Sequence, residues 1–346
     1  MSLVNTLMTN IRVDSGYDKY ERRASRYGAW NTFQIQTDDP MGIITPELEQ
    51  AALASIGRTL QVPVIDYDGS VTVGSSRSAT IADDENTSQL VTVSFTTYAF
   101  GFTMVPSLYM NNEIGYERDF GVKLTKYLHQ LAANLDTACI SALSSAKTQV
   151  YADDLGLYTP VGNVAQVAQA NKTEIFGDLN VMMEANDYFD QLFVIGNGGV
   201  QSQVRKVAED GLYNDKDKRY QWDDKVWNFS NRISNAADRV ATGYAVNAGS
   251  LGLLYRVERE ALRATVARTG HEWDTSTLPL LDIPVGTYYY ESVGDFSAIA
   301  GAASADMDRV LKQHFGFAVD VAVVTPYNSA QGTIASPVMA FEIANT

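Results

Sequence analysis

The stretch NEIGYERDFGVKLTKYLHQLAANLDTACISALSSAKTQ, residues 112–149, is the longest uninterrupted helical pattern in the chain. Leu124, Leu128, Leu131, Leu135, Ala138 and Ala142 recur at steps of four and three, which places them on one narrow apolar stripe. Lys126, Gln130, Thr137, Ser141 and Ser144 fall on the other side. If all of it is helical, a rise of roughly 1.5 Å per residue gives a rod on the order of 50 Å long. A rod of that length cannot be enclosed by one compact core. Asn111 or Asn112 can cap its start, with Glu113, Glu117 and Asp119 favoured by the macrodipole there. Gly115 and Gly121 weaken those turns, so the firm part begins nearer Phe120. The stripe is shorter than the roughly three to four heptads of a sustained coiled coil, so a helix packed on a sheet is expected. Cys139, on the flank of the stripe, reads as a buried thiol.

Working outward, residues 1–40 are polar, aromatic and irregular. Arg12, Lys19, Arg22, Arg23 and Arg26 are interleaved with Tyr17, Tyr20, Tyr27 and Trp30. Such a mixture can bind single-stranded nucleic acid. Asp14, Asp18 and Glu21 dilute it, and an arm laid over a neighbouring protein surface is the preferred reading. A helix is expected from Pro46 to about Ile56, with Thr45 as N-cap and Gly57 closing it. From Leu60 to Met104 the pattern changes to strands, and Val91, Val93 and Phe95 alternate with Thr92, Ser94 and Thr96. This predicts a long two-stranded excursion whose distal part is centred on polar residues 75–88. An isolated hairpin is marginal in water, so this one is expected to rest on another subunit.

Beyond the long helix, residues 150–173 read as a polar connector. A separate αβ region follows from Glu174 to about Ala300. It has a helix near Ile175–Asn186, a strand at 192–195, a glycine turn at Gly196–Gly199 and a helix from Val200 to Glu209. Strand-like RVATGYAV, GLLYRVERE and IPVGTYYYESV come next. The final FGFAVDVAVVTPYNSAQGTIASPVMAFEIA returns to strands and is expected to rejoin the sheet begun at residues 90–105.

Composition narrows the function classes. With 346 residues, 45% hydrophobic and 19% charged, the chain is an ordinary folded protein with ample core material. No apolar run approaches a membrane span, and no membrane association is expected. The N-terminus lacks a basic segment followed by an apolar block, so no signal peptide is expected. One cysteine excludes an intrachain disulfide and suits a reducing cytoplasm. Twenty-six basic and 41 acidic side chains leave a net charge of −15, which repels nucleic acid and anionic membranes. That argues against a DNA-binding enzyme. It does not argue against a container whose walls must not adhere to the DNA inside.

Catalytic chemistry is not legible. LFVIGNGGVQSQVRKV is a strand, a glycine turn and a helix, yet it has no Gly-Lys followed by Ser or Thr, and Gln201 stands where a dinucleotide fingerprint needs its third glycine. His129, His271 and His314 are far apart in sequence, and His271 with Glu272 lacks the second histidine of a zinc-protease motif. DYDGS at 66–70 begins like a calcium loop with its glycine too early. No metal, cofactor or catalytic residue is assigned, and the chain is not expected to be an enzyme.

The order of elements carries more than any motif. A polar arm, a short helix, a long β excursion, a spine-length helix, a separate αβ region and a return to the sheet resemble the major capsid protein of tailed double-stranded DNA bacteriophages, with the Hong Kong 97-like α+β fold. FVIGNGGVQSQVRKVAEDGLYND is similar to the family's A-domain run, and TTYAFGFTMVPSLYMNNE to the strand that leads into its spine. The resemblance implies an N-arm at 1–56, an E-loop β-hairpin with the entry strand of the P-domain at 57–104, and a P-domain at 105–173 with spine helix 112–149 packed on a β-sheet. It further implies an αβ A-domain at 174–300 and return strands of the P-domain at 301–346. The implied function is self-assembly into hexamers and pentamers of an icosahedral head shell around double-stranded DNA, without sequence-specific binding. Assembly would occur in the bacterial host cytoplasm and the product would reside in the virion. Scaffolding and portal proteins are the implied partners, with decoration proteins a further option; the arm is too short to contain a scaffolding segment, so the resemblance implies either a separate scaffold or assembly without one. Arg22, Arg23, Tyr27 and Trp30 on the arm, and Tyr67, Asp68 and Arg77 on the E-loop, are the candidate contacts between subunits. Alternatives are an encapsulin-like compartment, a surface-layer or tail-tube protein and, in a different class, a soluble αβ enzyme using the turn at 196–199.

Overall fold

A computed structural model describes residues 4, 7–8, 27–40, 42–55, 57–65, 88–110, 115–147, 158–186, 188–209, 221–222, 225–257, 270–279, 281–294, 310–326 and 336–345. In chain order the elements are α1 (Gly28–Thr37), α2 (Pro46–Ala54), β1 (Thr59–Ile65), β2 (Ser88–Ser94), β3 (Thr96–Met104), a 3-10 turn (Pro106–Tyr109) and α3 (Tyr116–Ala146). There follow β4 (Tyr158–Pro160), β5 (Val164–Val167), α4 (Ile175–Glu184), β6 (Leu192–Gly196), α5 (Gly198–Glu209), β7 (Gln221–Trp222), β8 (Lys225–Phe229), β9 (Arg239–Asn247) and β10 (Gly252–Arg256). Last come β11 (His271–Thr277), β12 (Pro284–Gly294), β13 (Val310–Val324) and β14 (Val338–Ala344). The fold is mixed α+β, as the sequence implied.

The 31-residue helix α3 starts after extended Gly115, with Glu117 and Asp119 in its first turn and Lys123 closing an i,i+4 pair with Asp119 at 2.8 Å. It ends at Lys147, whose backbone is extended. Its buried positions are Phe120, Leu124, Leu128, Leu131, Ala132, Leu135, Asp136, Cys139 and Leu143. The expected stripe drifts at its C-terminal end: Cys139 and Leu143 are buried where Ala138 and Ala142 were expected, and the latter two are half-buried. A straight helix of 3.6 residues per turn moves off a strict 3.5 repeat by about 20° per heptad, and the larger side chains follow the true period.

Two sheets flank this helix. One has the order β10-β13-β12-β11, with β3 on the other edge of the long strand β13. The other has the order β4-β5-β14-β9-β6-β8-β7. Aromatic side chains weld α3 to the first sheet: Phe120 meets Phe102 and Phe315 edge-on, and Phe100 stacks on Tyr127 at 5.4 Å and on Phe317 at 4.9 Å. The main core joins α1, α3 and both sheets, and a second core lies around α4, α5 and the seven-stranded sheet.

The strands do not divide as chain order suggested. Residues 310–324 do pair with 96–104, as expected of the returning segment. Val338–Ala344 instead enters the middle of the seven-stranded sheet, between β5 and β9. Conversely β10, β11 and β12, expected within a separate region at 174–300, are hydrogen-bonded in the sheet of β3 and β13. The expected connector at 150–173 contains β4 and β5, and Val164, Ala165 and Val167 are buried there. Their apolar pattern is too short to stand out between polar neighbours.

The short helix α2 forms as read, with Pro46 in the first turn and the Thr45 hydroxyl accepting from the Leu48 N–H at 3.3 Å. It lies over β10 in a small cluster of Ile44, Ala52, Phe95, Leu254, Ala322 and Val324. β1 and β2 pair only with each other, Thr59 opposite Ser94 and Ile65 opposite Ser88. Among the described residues they form a separate two-stranded sheet at this corner.

Candidate functional site: the helix joint, the hairpin root and the open sheet face

Residues 28–37, read as irregular arm, form the buried helix α1. Its first turn has no cap of its own, since Tyr27 makes no side-chain capping bond. A carboxylate from the middle of α3 supplies one. The N–H groups of Ala29 and Trp30 donate to Asp136 Oδ1, each at 3.0 Å. The Ser230 hydroxyl donates to Oδ2 at 2.5 Å, and Arg232 Nη1 lies 3.7 Å away. Asp136 is fully buried, and that burial pushes its carboxyl up, against the opposing pull of Ser230 and the α1 N–H groups. Gly28 is required at this joint: a Cβ there would sit 2.4 Å from the Phe229 carbonyl oxygen. Three remote segments therefore meet at one side chain.

Of the candidate contact residues, Arg22, Arg23, Tyr67, Asp68 and Arg77 lie outside the described residues. Tyr27 and Trp30 were chosen as exposed contacts, and this is corrected: they are 7% and 3% exposed within the chain's own core. The Tyr27 hydroxyl donates to the His129 carbonyl at 3.2 Å, and the Trp30 indole N–H donates to the Tyr255 hydroxyl at 3.2 Å. Their aromatic bodies give α1 the apolar face that an arm of polar residues would lack. Asp136 was missed because nothing local marks a buried acid on a helix. The weak cap before Gly28 was the available signal.

The glycine turn has a packing role. Asn197 Oδ1 accepts from the N–H groups of Gly199 at 3.0 Å and Val200 at 3.1 Å, so those donors of the α5 start are occupied by the chain itself. A Cβ on Gly199 would lie 2.0 Å from the Val240 carbonyl oxygen, which explains that glycine by close approach. Among the described residues no three His, Cys, Asp or Glu side chains cluster as metal ligands, and no helix is long and apolar enough to cross a membrane. Cys139 is buried, and its thiol is pushed well up by that burial and by Asp136.

At the root of the hairpin, three side chains stand in one row across three strands. Arg256 on β10 is opposite Asp320 on β13, which is opposite Thr97 on β3. Arg256 Nη2 donates to Asp320 Oδ2 at 2.9 Å, and the Thr97 hydroxyl donates to Oδ1 at 2.6 Å. Arg256 Nη1 donates to the Ser55 carbonyl at 3.1 Å and hydroxyl at 2.9 Å, and the guanidinium lies 4.5 Å from the Phe95 ring centre. Both ionic partners are buried.

The same sheet face continues away from α2 as an aromatic ridge. His271 stacks on Tyr290 at 5.0 Å and Tyr290 on His314 at 4.3 Å. Thr103 and Ser292 hold the two ring nitrogens of His314 at 2.9 and 2.7 Å. Burial and the nearby Lys312 ammonium lower the His314 pKa. At the far end of the same sheet, the cross-strand pair Val293 and Leu311 is exposed, at 64% and 42%.

No model of a known protein family matches the sequence, and no curated protein is similar to it. Solved structures are similar over most of the chain. The asymmetric unit of the bacteriophage PhiM1 mature capsid is 10% identical, with 89% of this chain and 90% of that one covered, at a TM-score of 0.49. The cyanophage Pam1 capsid asymmetric unit is 10% identical, with 85% and 87% covered, at a TM-score of 0.48. The capsid structure of the cyanophage P-SCSP1u is 10% identical, with 84% of each chain covered, at a TM-score of 0.46.

Proposed function

We propose that this chain is a major capsid protein of a tailed bacteriophage, acting by self-assembly. The observation that carries the reading is architectural. A 31-residue helix lies across a sheet that also receives the chain's late strand β13, while β1 and β2, among the described residues, form a separate two-stranded sheet at one corner. An isolated hairpin needs a second surface to be stable, and in an assembly protein that surface belongs to the next copy. The Hong Kong 97-like arrangement that the sequence resembles uses these parts as spine, P-domain sheet and E-loop.

In this reading the P-domain comprises α3, β3 and β10–β13. The A-domain comprises the seven-stranded sheet with α4 and α5, closed by Val338–Ala344. Subunits form hexamers and pentamers through heterologous contacts, and the pooled weak contacts close a shell around double-stranded DNA. A net charge of −15 keeps the walls from adhering to the genome. Assembly takes place in the host cytoplasm with scaffolding and portal proteins, and decoration proteins can add to the finished head.

The test is sedimentation velocity with negative-stain microscopy on the chain expressed alone and together with a scaffold. Closed shells or five- and six-fold rings are expected. A persistent monomer under both conditions overturns the reading.

A further inference from the structure

We infer that Arg256 is a positioning residue that sets the direction in which the β1–β2 hairpin leaves the body; as an account of assembly, this rests on the reading above. The two roots of the hairpin are the segment before β1, where Ser55 lies, and the residue after β2, which is Phe95. One guanidinium touches both: it donates to the Ser55 carbonyl and hydroxyl and lies 4.5 Å from the Phe95 ring centre. Its other end is fixed on Asp320, which also holds Thr97 at the start of β3. The Phe95 N–H donates to the Arg58 carbonyl at 2.7 Å, closing the neck between the roots. Arginine suits the task because its planar fork bridges separated acceptors in a fixed geometry, which a lysine ammonium does not.

Stability alone does not account for the arrangement. The Arg256 Nε–H is buried without a partner, so the cation is incompletely compensated. Buried ion pairs are often replaced by apolar side chains without loss of stability, while such groups can specify one geometry among several. Among the described residues the root is also held by the Phe95–Arg58 backbone bond and by the small apolar cluster under α2, to which Leu60 and Val93 of the hairpin contribute. Apolar contact is non-directional and leaves the angle of the hairpin unspecified. The clasp supplies the direction.

The experiment is a distance measurement between spin labels on Thr92→Cys of the hairpin and Lys126→Cys of α3, both exposed positions, in dissociated subunits. Cys139 is buried and stays unlabelled in the native protein. One narrow distance distribution is expected with Arg256 in place. In Arg256→Met/Asp320→Leu the distribution is expected to broaden about twofold while the melting temperature moves by only a few degrees. Arg256→Lys, which keeps the buried charge pair, is expected to broaden it as well, and serves if the double replacement does not fold. A distribution as narrow as the parent's in either folded variant overturns the inference. Because the distance is read on subunits, failure of the parent to form shells sinks the capsid reading alone. Broadened subunits that still close shells as uniform as the parent's would remove the clasp's role in assembly.

Discussion

Asp136 and Asp320 are both buried carboxylates, and they hold the molecule together in different ways. Asp136 meets its cation at a greater distance than Asp320 does. Its charge is met by two backbone N–H groups and a hydroxyl, with Arg232 at 3.7 Å. Asp320 is met by a full guanidinium at 2.9 Å. The backbone donors at the α1 start exist whatever residue stands opposite them, so Asp136 answers a need it did not create. Arg256 and Asp320 each create the other's need. The first arrangement is expected to be irreplaceable, the second exchangeable as a pair.

The largest effect follows from Asp136→Ala, which strands the N–H groups of Ala29 and Trp30 and the Ser230 hydroxyl in the core. A loss of about 3–5 kcal/mol is expected in urea unfolding followed by tryptophan fluorescence. Asp136→Asn keeps an acceptor for the helix start and should lose only about 1–2 kcal/mol. Equal losses in the two variants would break the distinction drawn here. Next, Arg256→Met alone should cost about 3 kcal/mol by leaving Asp320 unpaired, and adding Asp320→Leu should return stability to within about 1 kcal/mol of the parent. Additive losses in that cycle would make the clasp an ordinary pair of core residues.

A second buried cap sharpens the same contrast. Asn197→Ala removes the local cap of α5 and the amide bond to Asn235, and should cost about 1 kcal/mol, less than Asp136→Ala, because no buried charge is involved. The smallest effect concerns pH. The His314 pKa is lowered in the folded protein, so below the ordinary histidine value of 6.5 the unfolded chain binds the proton more readily. Stability from this group is complete above that value and declines as pH falls from it through the lowered one. His314→Gln should flatten that part of the pH profile of the urea midpoint, and an unchanged slope would place the dependence elsewhere.

Local patterns were readable and long-range ones were not. The long helix expected at 112–149 is found at Tyr116–Ala146, because four-three spacing is a property of neighbouring residues. The Thr45–Pro46 start of α2 was legible for the same reason. Helix α1 was hidden because its cap comes from Asp136, more than a hundred positions away, and its first residue is a glycine chosen by contact with Phe229. Tyr27 and Trp30 looked like contact residues because aromatic and basic residues alternate around them, yet aromatic side chains serve cores and interfaces by the same physics. β11 and β8 escaped notice because neither HEWDTST nor KVWNF carries an uninterrupted apolar alternation. For the clasp the sequence offered Arg256 inside a strand-like run. Nothing in that run points to Ser55 or Asp320.

The strand Val338–Ala344 lies in the interior of its sheet, beside Val164–Val167 and Arg239–Asn247, although almost half of the chain separates it from the former. During synthesis, β5 therefore leaves the ribosome long before its neighbour has been translated. A nascent chain carries this sheet with an interior strand missing until residue 344 has emerged. Only then does this lobe have a finished surface to present. A polypeptide that stops before Val338 therefore never completes this sheet, and its β5 and β9 edges stay unpaired where β14 belongs.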